Sequence, residues 1–459
     1  MARFMSLRLM VAFMTAPVLT ACGSFVDIDP SRCDPNECLA RELDDLCEIF
    51  ADLEDERAAE TYLTEGAEVT PWVKNAWLPS ADNAALLWYQ AFLSRPEPDE
   101  PTRVRINEVL RGGKADGQVR QYLGYCRKTF RLAEMAAQIP QCTWGVSLPD
   151  GTGASGGMTR EAHHLTSLLA ADARTLASDA HYRVALARCL TIRRLAHHVG
   201  DDTPLMFSVS IAIDSMARRA MQYVLGVTPP ETNTLRWLRG QLGVVEGAPG
   251  SLEKVLQTNL RFLPDEMRKD ADVLQGIRER IAEETLSEQA REEALGLSEE
   301  EIITRACRAY SRLLDQVLRV LDSGMSYEQK YAEIGKQTRE LTQRSDPAAR
   351  YAAFWCQAGR ITDSYGLIVC ERAAYNALKA AIEIYMVVAE TGALPHTLPL
   401  YLPKDPFSGE PFAYEITGDG FVLRCRSRDL DSSKKLYRPG EAPEILEDVI
   451  QQYEFKVRR

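Results

Sequence analysis

The chain reads as mainly α: multi-helical hairpins or a bundle, followed by a small C-terminal module of one helix and a β-hairpin. Two observations predict this. Apolar residues recur at three- and four-residue spacing through most of the length, the period of a helix face. After Gly392 that period gives way to closely spaced glycine and proline signals separating short strand-like runs. With 459 residues, 45% of them hydrophobic, the chain has enough apolar mass for two or three domains with real cores.

The elements follow in order. MARFMSLR carries Arg3 and Arg8 and no acid, and Leu9 to Ala21 is uncharged. A permanent membrane helix needs ~20 apolar residues, so this shorter run predicts a removable signal over 1–21. Residues 22–38 read as a tether rich in Asp, Pro, Ser and Asn, and 39–350 as the helical domain or domains. That body opens with a stripe at Leu39, Leu43, Leu46, Cys47, Phe50 and Leu53. NAALLWYQAFL (83–93) predicts a helix, 103–138 two helices broken near Gly112 and Gly113, and 141–159 a loop. Helices resume at Arg160, with Leu165, Leu168, Leu169 and Leu176 on one face, and another runs to Val199 through Ala185, Cys189, Ile192 and Ala196. Asp201-Asp202-Thr203-Pro204 supplies a cap and a proline at the start of an apolar helix closing near Gly226. Residues 251–345, charged and poor in glycine, predict long, partly solvated helices. The module spans 351–440: a helix from Tyr365 to Glu390 stopped by Gly392, then strands over Phe412–Ile416 and Phe421–Cys425. Residues 441–459 read as a tail.

Composition narrows the function classes. A formal charge of −12 disfavours a general nucleic-acid role, since phosphate binding needs a basic surface. Setting Cys22 aside, ten of the eleven cysteines remain: 33, 38, 47, 126, 142, 189, 307, 356, 370 and 425. An even number permits disulfides in an oxidising compartment without fixing their connectivity. Cys33 and Cys38 form the favoured local pair, with Cys47 a competitor; Cys126 with Cys142 and Cys356 with Cys370 are further options. Cys189 and Cys307 fall in apolar helical patterns and read as small buried hydrophobes.

Other motifs yield to structural readings. Gly151-Thr152-Gly153-Ala154-Ser155-Gly156 spells a dinucleotide fingerprint, but Pro149-Asp150 precede it where a buried strand is needed, so it reads as a flexible loop. Neither His163-His164 nor His197-His198 has the i, i+4 spacing of a helical metal pair; a site shared with Asp201 or Asp202 is the metal-binding option, and surface or capping roles are the expectation. His181 and His396 join no motif. Asp214, four residues before Arg218, is explained by an intrahelical ion pair. Glu371 and Glu383 lie about 18 Å apart along one helix, too far to act on one bond, and read as solvated. No metal, cofactor or catalytic residue is assigned.

Leu19-Thr20-Ala21-Cys22 resembles the lipobox of bacterial lipoproteins. The resemblance implies a diacylglycerol on the Cys22 thiol, cleavage before it, and acylation of the new amino group. Gly23 and Ser24 stand where an Asp signals inner-membrane retention in some bacteria, which favours the outer membrane. Pro140-Gln141-Cys142-Thr143-Trp144-Gly145 followed by the DDTPL…IAID segment resembles a family of uncharacterised exported lipoproteins of planctomycete-type bacteria, in which Asp usually stands at the Thr143 position. Residues from about 366 to 430 are similar to the globular part of major type II secretion pseudopilins: helix, Gly392-Ala393-Leu394-Pro395, Leu398-Pro399, Asp405-Pro406-Phe407-Ser408-Gly409-Glu410-Pro411, Tyr414, hairpin. Those pseudopilins begin with an uncut apolar helix, which this chain replaces with a lipobox. Of their calcium loop only Asp429 and Asp431 are suggestive. The expectation is a non-catalytic cell-envelope scaffold or binding module, held to membrane lipid through acylated Cys22 and meeting an envelope protein partner. The alternative is an envelope hydrolase with a site near 142–163 or 197–202.

Overall fold

The computed structural model describes residues 83–145, 153–200, 202–269, 271–283, 288–343, 346–356, 358–427 and 450–457. The signal, tether and first helical stripe, with Cys22, Cys33, Cys38 and Cys47, lie outside them, as do Asp201, Asp429 and Asp431. The architecture is mainly α with a small antiparallel sheet. Among the described residues no helix is long and apolar enough to cross a membrane.

The first half builds from α1 (Ala85–Ser94), α2 (Glu100–Leu110), α3 (Gly117–Tyr125) and α4 (Arg127–Gln138). Where two helices were expected between 103 and 138 there are three. Asp116 makes the extra start, accepting from the Val119 N–H at 2.9 Å as an N-cap. Helices α1 and α4 pack against each other, burying Trp88, Ala91, Phe130 and Ala133.

A three-helix bundle forms the centre: α5 (Gly153–Ser178), α6 (Tyr182–Val199) and α7 (Pro204–Val227), each packed on the other two. Helix α5 starts at Gly153, earlier than its apolar period indicates. Met158 and Thr159 are already buried there, so packing on the bundle offsets the poor helix propensity of the glycines. The α5–α6 turn is a Schellman motif. His181 N–H reaches Leu176 O at 2.8 Å and Ala180 N–H reaches Ala177 O at 3.1 Å, which forces Ala180 to φ +63°. At the other end of α6, Gly200 takes φ +69°. Thr203 then caps α7 through Met206 N–H, with Pro204 in the first turn.

Helices α8 (Thr232–Val244), α9 (Leu252–Lys269), α10 (Ala271–Glu283), α11 (Glu288–Leu295), α12 (Glu299–Leu321), α13 (Tyr327–Thr342) and α14 (Pro347–Trp355) complete the body. Two of them start with reciprocal capping boxes, Ser298 with Glu301 and Ser326 with Gln329. Helix α12 shows why its charge is compatible with a core. Ile302, Ala306, Tyr310, Leu313 and Val317 form one buried stripe, leaving the acids and arginines on the other face.

The long helix α15 (Ile361–Thr391) packs on α7, α8 and α13 and ends at Gly392 with φ +74°. Beyond it, Asp405 is wholly buried and organises the turn. Its carboxylate accepts from Phe407 N–H (2.9 Å), Ser408 Oγ–H (2.7 Å) and Arg426 N–H (2.8 Å). Strands β1 (Ala413–Ile416) and β2 (Gly420–Arg424) form the expected hairpin, pairing Ala413 with Arg424 and Ile416 with Phe421. A third strand, β3 (Gln452–Lys456), comes from the stretch expected to be a tail and pairs Phe421 with Phe455. Five residues with no turn motif beside them carry too little local signal to be read as a strand. The sheet closes on the helices where Phe421 stacks on Phe455 at 5.3 Å, and Tyr385 donates to Lys456 O at 2.5 Å.

Candidate functional site

Two polar assemblies gather several of the residues singled out by sequence. The first gathers the Gln141-Cys142-Thr143-Trp144 segment, α1 and the end of α6. Asn83, just before α1, pairs with this segment as if it were a strand. Its side chain donates to Thr143 O and accepts from Thr143 N–H, each at 2.9 Å, while Ala84 N–H donates to Gln141 O at 2.8 Å. That clamp delivers the Trp144 ring between aromatic neighbours. It stacks on Phe92 at 6.1 Å and meets Tyr89 edge-on at 5.5 Å. Trp144 Nε1–H then donates to His198 O at 2.5 Å.

His198 receives a second tryptophan. Trp88 Nε1–H donates to His198 Nδ1 at 2.8 Å. Indole nitrogen is only a donor, so Nδ1 must carry a lone pair and the imidazole must be neutral. Its other nitrogen faces the Ile139 carbonyl; burial, helped by His197, holds the pKa down to about 4. His197 is likewise held down to about 4, first by burial and then by Arg193. Cys142, half-buried near Tyr89, is pushed up to about 12 by desolvation and then by Asp202. A nucleophilic thiol needs the opposite shift.

The remaining histidines do not join this cluster. His163 and His164 face one another on α5 with ring centroids 6.5 Å apart, and His181 stands at the N-cap position of α6 without a side-chain capping bond. Asp202 pairs with Lys254 at 2.8 Å. Among the described residues no group of three or more His, Cys, Asp or Glu side chains is placed to hold a metal ion. The glycine run is also accounted for locally: from Gly153 onward it is the first turn of α5, which no described strand precedes.

The second assembly is a buried chain of alternating charge across α6, α7 and α15. Arg193 is wholly buried and spends its donors on Asp214 Oδ1 (2.5 Å) and Oδ2 (2.6 Å), on Val245 O (3.0 and 3.1 Å) and on Gly247 O (2.8 Å). Its guanidinium lies 4.1 Å from the Tyr375 ring centroid. Asp214 also faces Arg218 Nε at 3.9 Å, and Arg218 Nη2 pairs with Glu371. The expected intrahelical pair therefore exists but is the weaker contact; Asp214 belongs chiefly to Arg193 on the neighbouring helix. Glu371 corrects the solvated reading. It is 6% exposed, and burial raises its pKa against the pull of Arg218. Glu383 is no free surface acid either, pairing with Arg239 at 3.2 Å.

Arg193 was missed because nothing local marks it. It stands beside Arg194 on a helix of mixed composition, and its partner is on another element. No disulfide joins the seven cysteines of the described residues, Cys126, Cys142, Cys189, Cys307, Cys356, Cys370 and Cys425. The two disulfide options among them, Cys126 with Cys142 and Cys356 with Cys370, are thus unformed. Compared with family models, curated proteins and solved structures, the chain finds no match.

Proposed function

We propose that this chain is a cell-envelope lipoprotein, tethered to membrane lipid through acylated Cys22 and serving as a non-catalytic scaffold or binding module. The observation that carries the reading is Leu19-Thr20-Ala21-Cys22 at the end of an uncharged run that follows a basic flank. Two or three acyl chains on one residue hold far more firmly than the marginal grip of one. The chemistry around the Trp144 motif agrees with a structural part. His198 is engaged as an acceptor, Cys142 is held protonated, and Asp202 is tied to Lys254. Tight packing of the central bundle gives a rigid body suited to presenting surfaces to an envelope partner.

Detergent phase partitioning of the full chain in a bacterial host tests the anchor. The native sequence enters the detergent phase with the membrane fraction, and Cys22→Ser moves to the aqueous phase while keeping its helical circular dichroism. Equal partitioning of the two would overturn the reading.

A further inference from the structure

We propose that the turn after α15, with Leu400 and Tyr401 at its tip, wedges into the headgroup region of an anionic phospholipid bilayer and fixes which face of the tethered body meets the membrane. The inference rests on the envelope reading above, in which the chain is already held at a lipid surface.

The turn is apolar where turns facing water are polar. Leu402 N–H donates to Pro399 O at 3.3 Å, closing four residues with Leu400 and Tyr401 at the centre. Gly, Asn, Asp and Ser dominate such positions, because they tolerate the bend or hydrogen-bond their own backbone. Here the central pair is a leucine 90% exposed and a tyrosine 70% exposed. Their exposure is not that of a loose loop. Leu398 packs on the core before the tip and Leu402 after it. Asn376 on α15 donates to Lys404 O at 2.8 Å, tying down the far end. Pro399 and Pro403 each fix one backbone angle. The tip is thus held out from a fastened base, and a preorganised loop loses little freedom on binding.

Size and charge choose the occupant. A stable protein interface takes about 800 Å² and 20–30 residues a side, whereas this turn presents two apolar side chains. A bilayer interface asks for no matching shape and admits so small a wedge. Leucine supplies apolar area, and tyrosine carries an apolar ring with a polar end suited to the headgroup level. The charge agrees. In a chain of net charge −12, no acid occurs from Thr391 to Lys404, and exposed Lys404 stands beside the tip, where anionic headgroups attract it. Cys22 and Asn83 are 61 positions apart, a reach of about 200 Å when fully extended, so an acyl anchor alone sets no orientation. Two side chains bind weakly from solution; on a tethered body their insertion is an intramolecular step.

Hydrogen exchange on an anchored chain tests this without relying on Cys22. The complete mature polypeptide from Gly23, with a histidine tag at its start, is bound to phosphatidylethanolamine–phosphatidylglycerol vesicles doped with nickel-chelating lipid. Exchange over 398–404 is compared before and after imidazole releases the chain. The expected result is slowing by about tenfold on the vesicles, the shift that burying one leucine side chain produces. In Leu400→Ser/Tyr401→Ser, with unchanged circular dichroism, the anchored and released rates coincide. Lys404→Gln loses about fivefold of the protection, and loses none on phosphatidylcholine vesicles. Equal slowing in the native and double-variant chains overturns the inference. So does no slowing in the native chain, which leaves the tip to a protein partner. Protection here combined with an unmodified Cys22 in cells upholds the tip and refutes the acyl anchor.

Discussion

Replacing Asp214 with alanine tests the energetics of the central bundle most sharply. The side chain accepts two of the Arg193 hydrogen bonds, at 2.5 and 2.6 Å, and sets a carboxylate against its charge at a wholly buried site. Without it the guanidinium keeps only the Val245 and Gly247 carbonyls and the Tyr375 ring. Removing one member of a buried pair costs about 3–5 kcal/mol, because the other charge stays in low dielectric uncompensated. Counting the two charge-assisted hydrogen bonds at about 1.5–3 kcal/mol each gives the same range. With an unfolding entropy of about 2.1 cal/mol/K per residue, a body this size loses roughly 4–7 °C in Tm. Urea unfolding of Asp214→Ala, Arg193→Ala and the double variant measures the pair directly. The expected coupling exceeds about 2 kcal/mol, since the double variant leaves no orphaned charge. A loss below about 1 kcal/mol for Asp214→Ala, with no coupling, would refute the reasoning.

Acid should weaken the fold through the histidines. His197 and His198 are held near 4 in the folded chain against about 6.5 when unfolded, so the unfolded chain binds protons first. Their contribution is complete above pH 6.5 or so, declines as pH falls toward 4, and levels off below; urea midpoints across that range, compared with His198→Gln, check the sign. Ala180→Gly should raise Tm slightly, by about 0.5 kcal/mol of stability, because φ +63° costs alanine more than glycine's extra chain entropy; a lower Tm would count against the Schellman turn. Gly420→Ala should detach β3, since an added Cβ would meet Phe455 O at 1.9 Å. Faster amide exchange at Phe455, with α5 to α7 unchanged, is the expected outcome.

The helices were legible because each carries its own apolar period, and α15 with its Gly392 stop is the clearest case. The hairpin was equally plain, since Gly418-Asp419-Gly420 is turn chemistry between two short apolar runs. What escaped depends on partners distant in sequence. Asp214 finds Arg193 across a helix interface, Glu371 finds Arg218 from 153 positions away, and β3 exists only because β2 offers it an edge. Trp144 shows the middle ground. Its motif was visible as a motif, but that Asn83 holds its backbone and His198 takes its indole follows only from the folded chain.

The N-terminal peptide of the mature protein puts the central claim to its most direct trial. Purified from host membranes and read by mass spectrometry, it should begin at Cys22 and carry a diacylglycerol thioether together with an amide-linked fatty acid. A peptide beginning at Met1 with an unmodified Cys22 thiol would contradict the account.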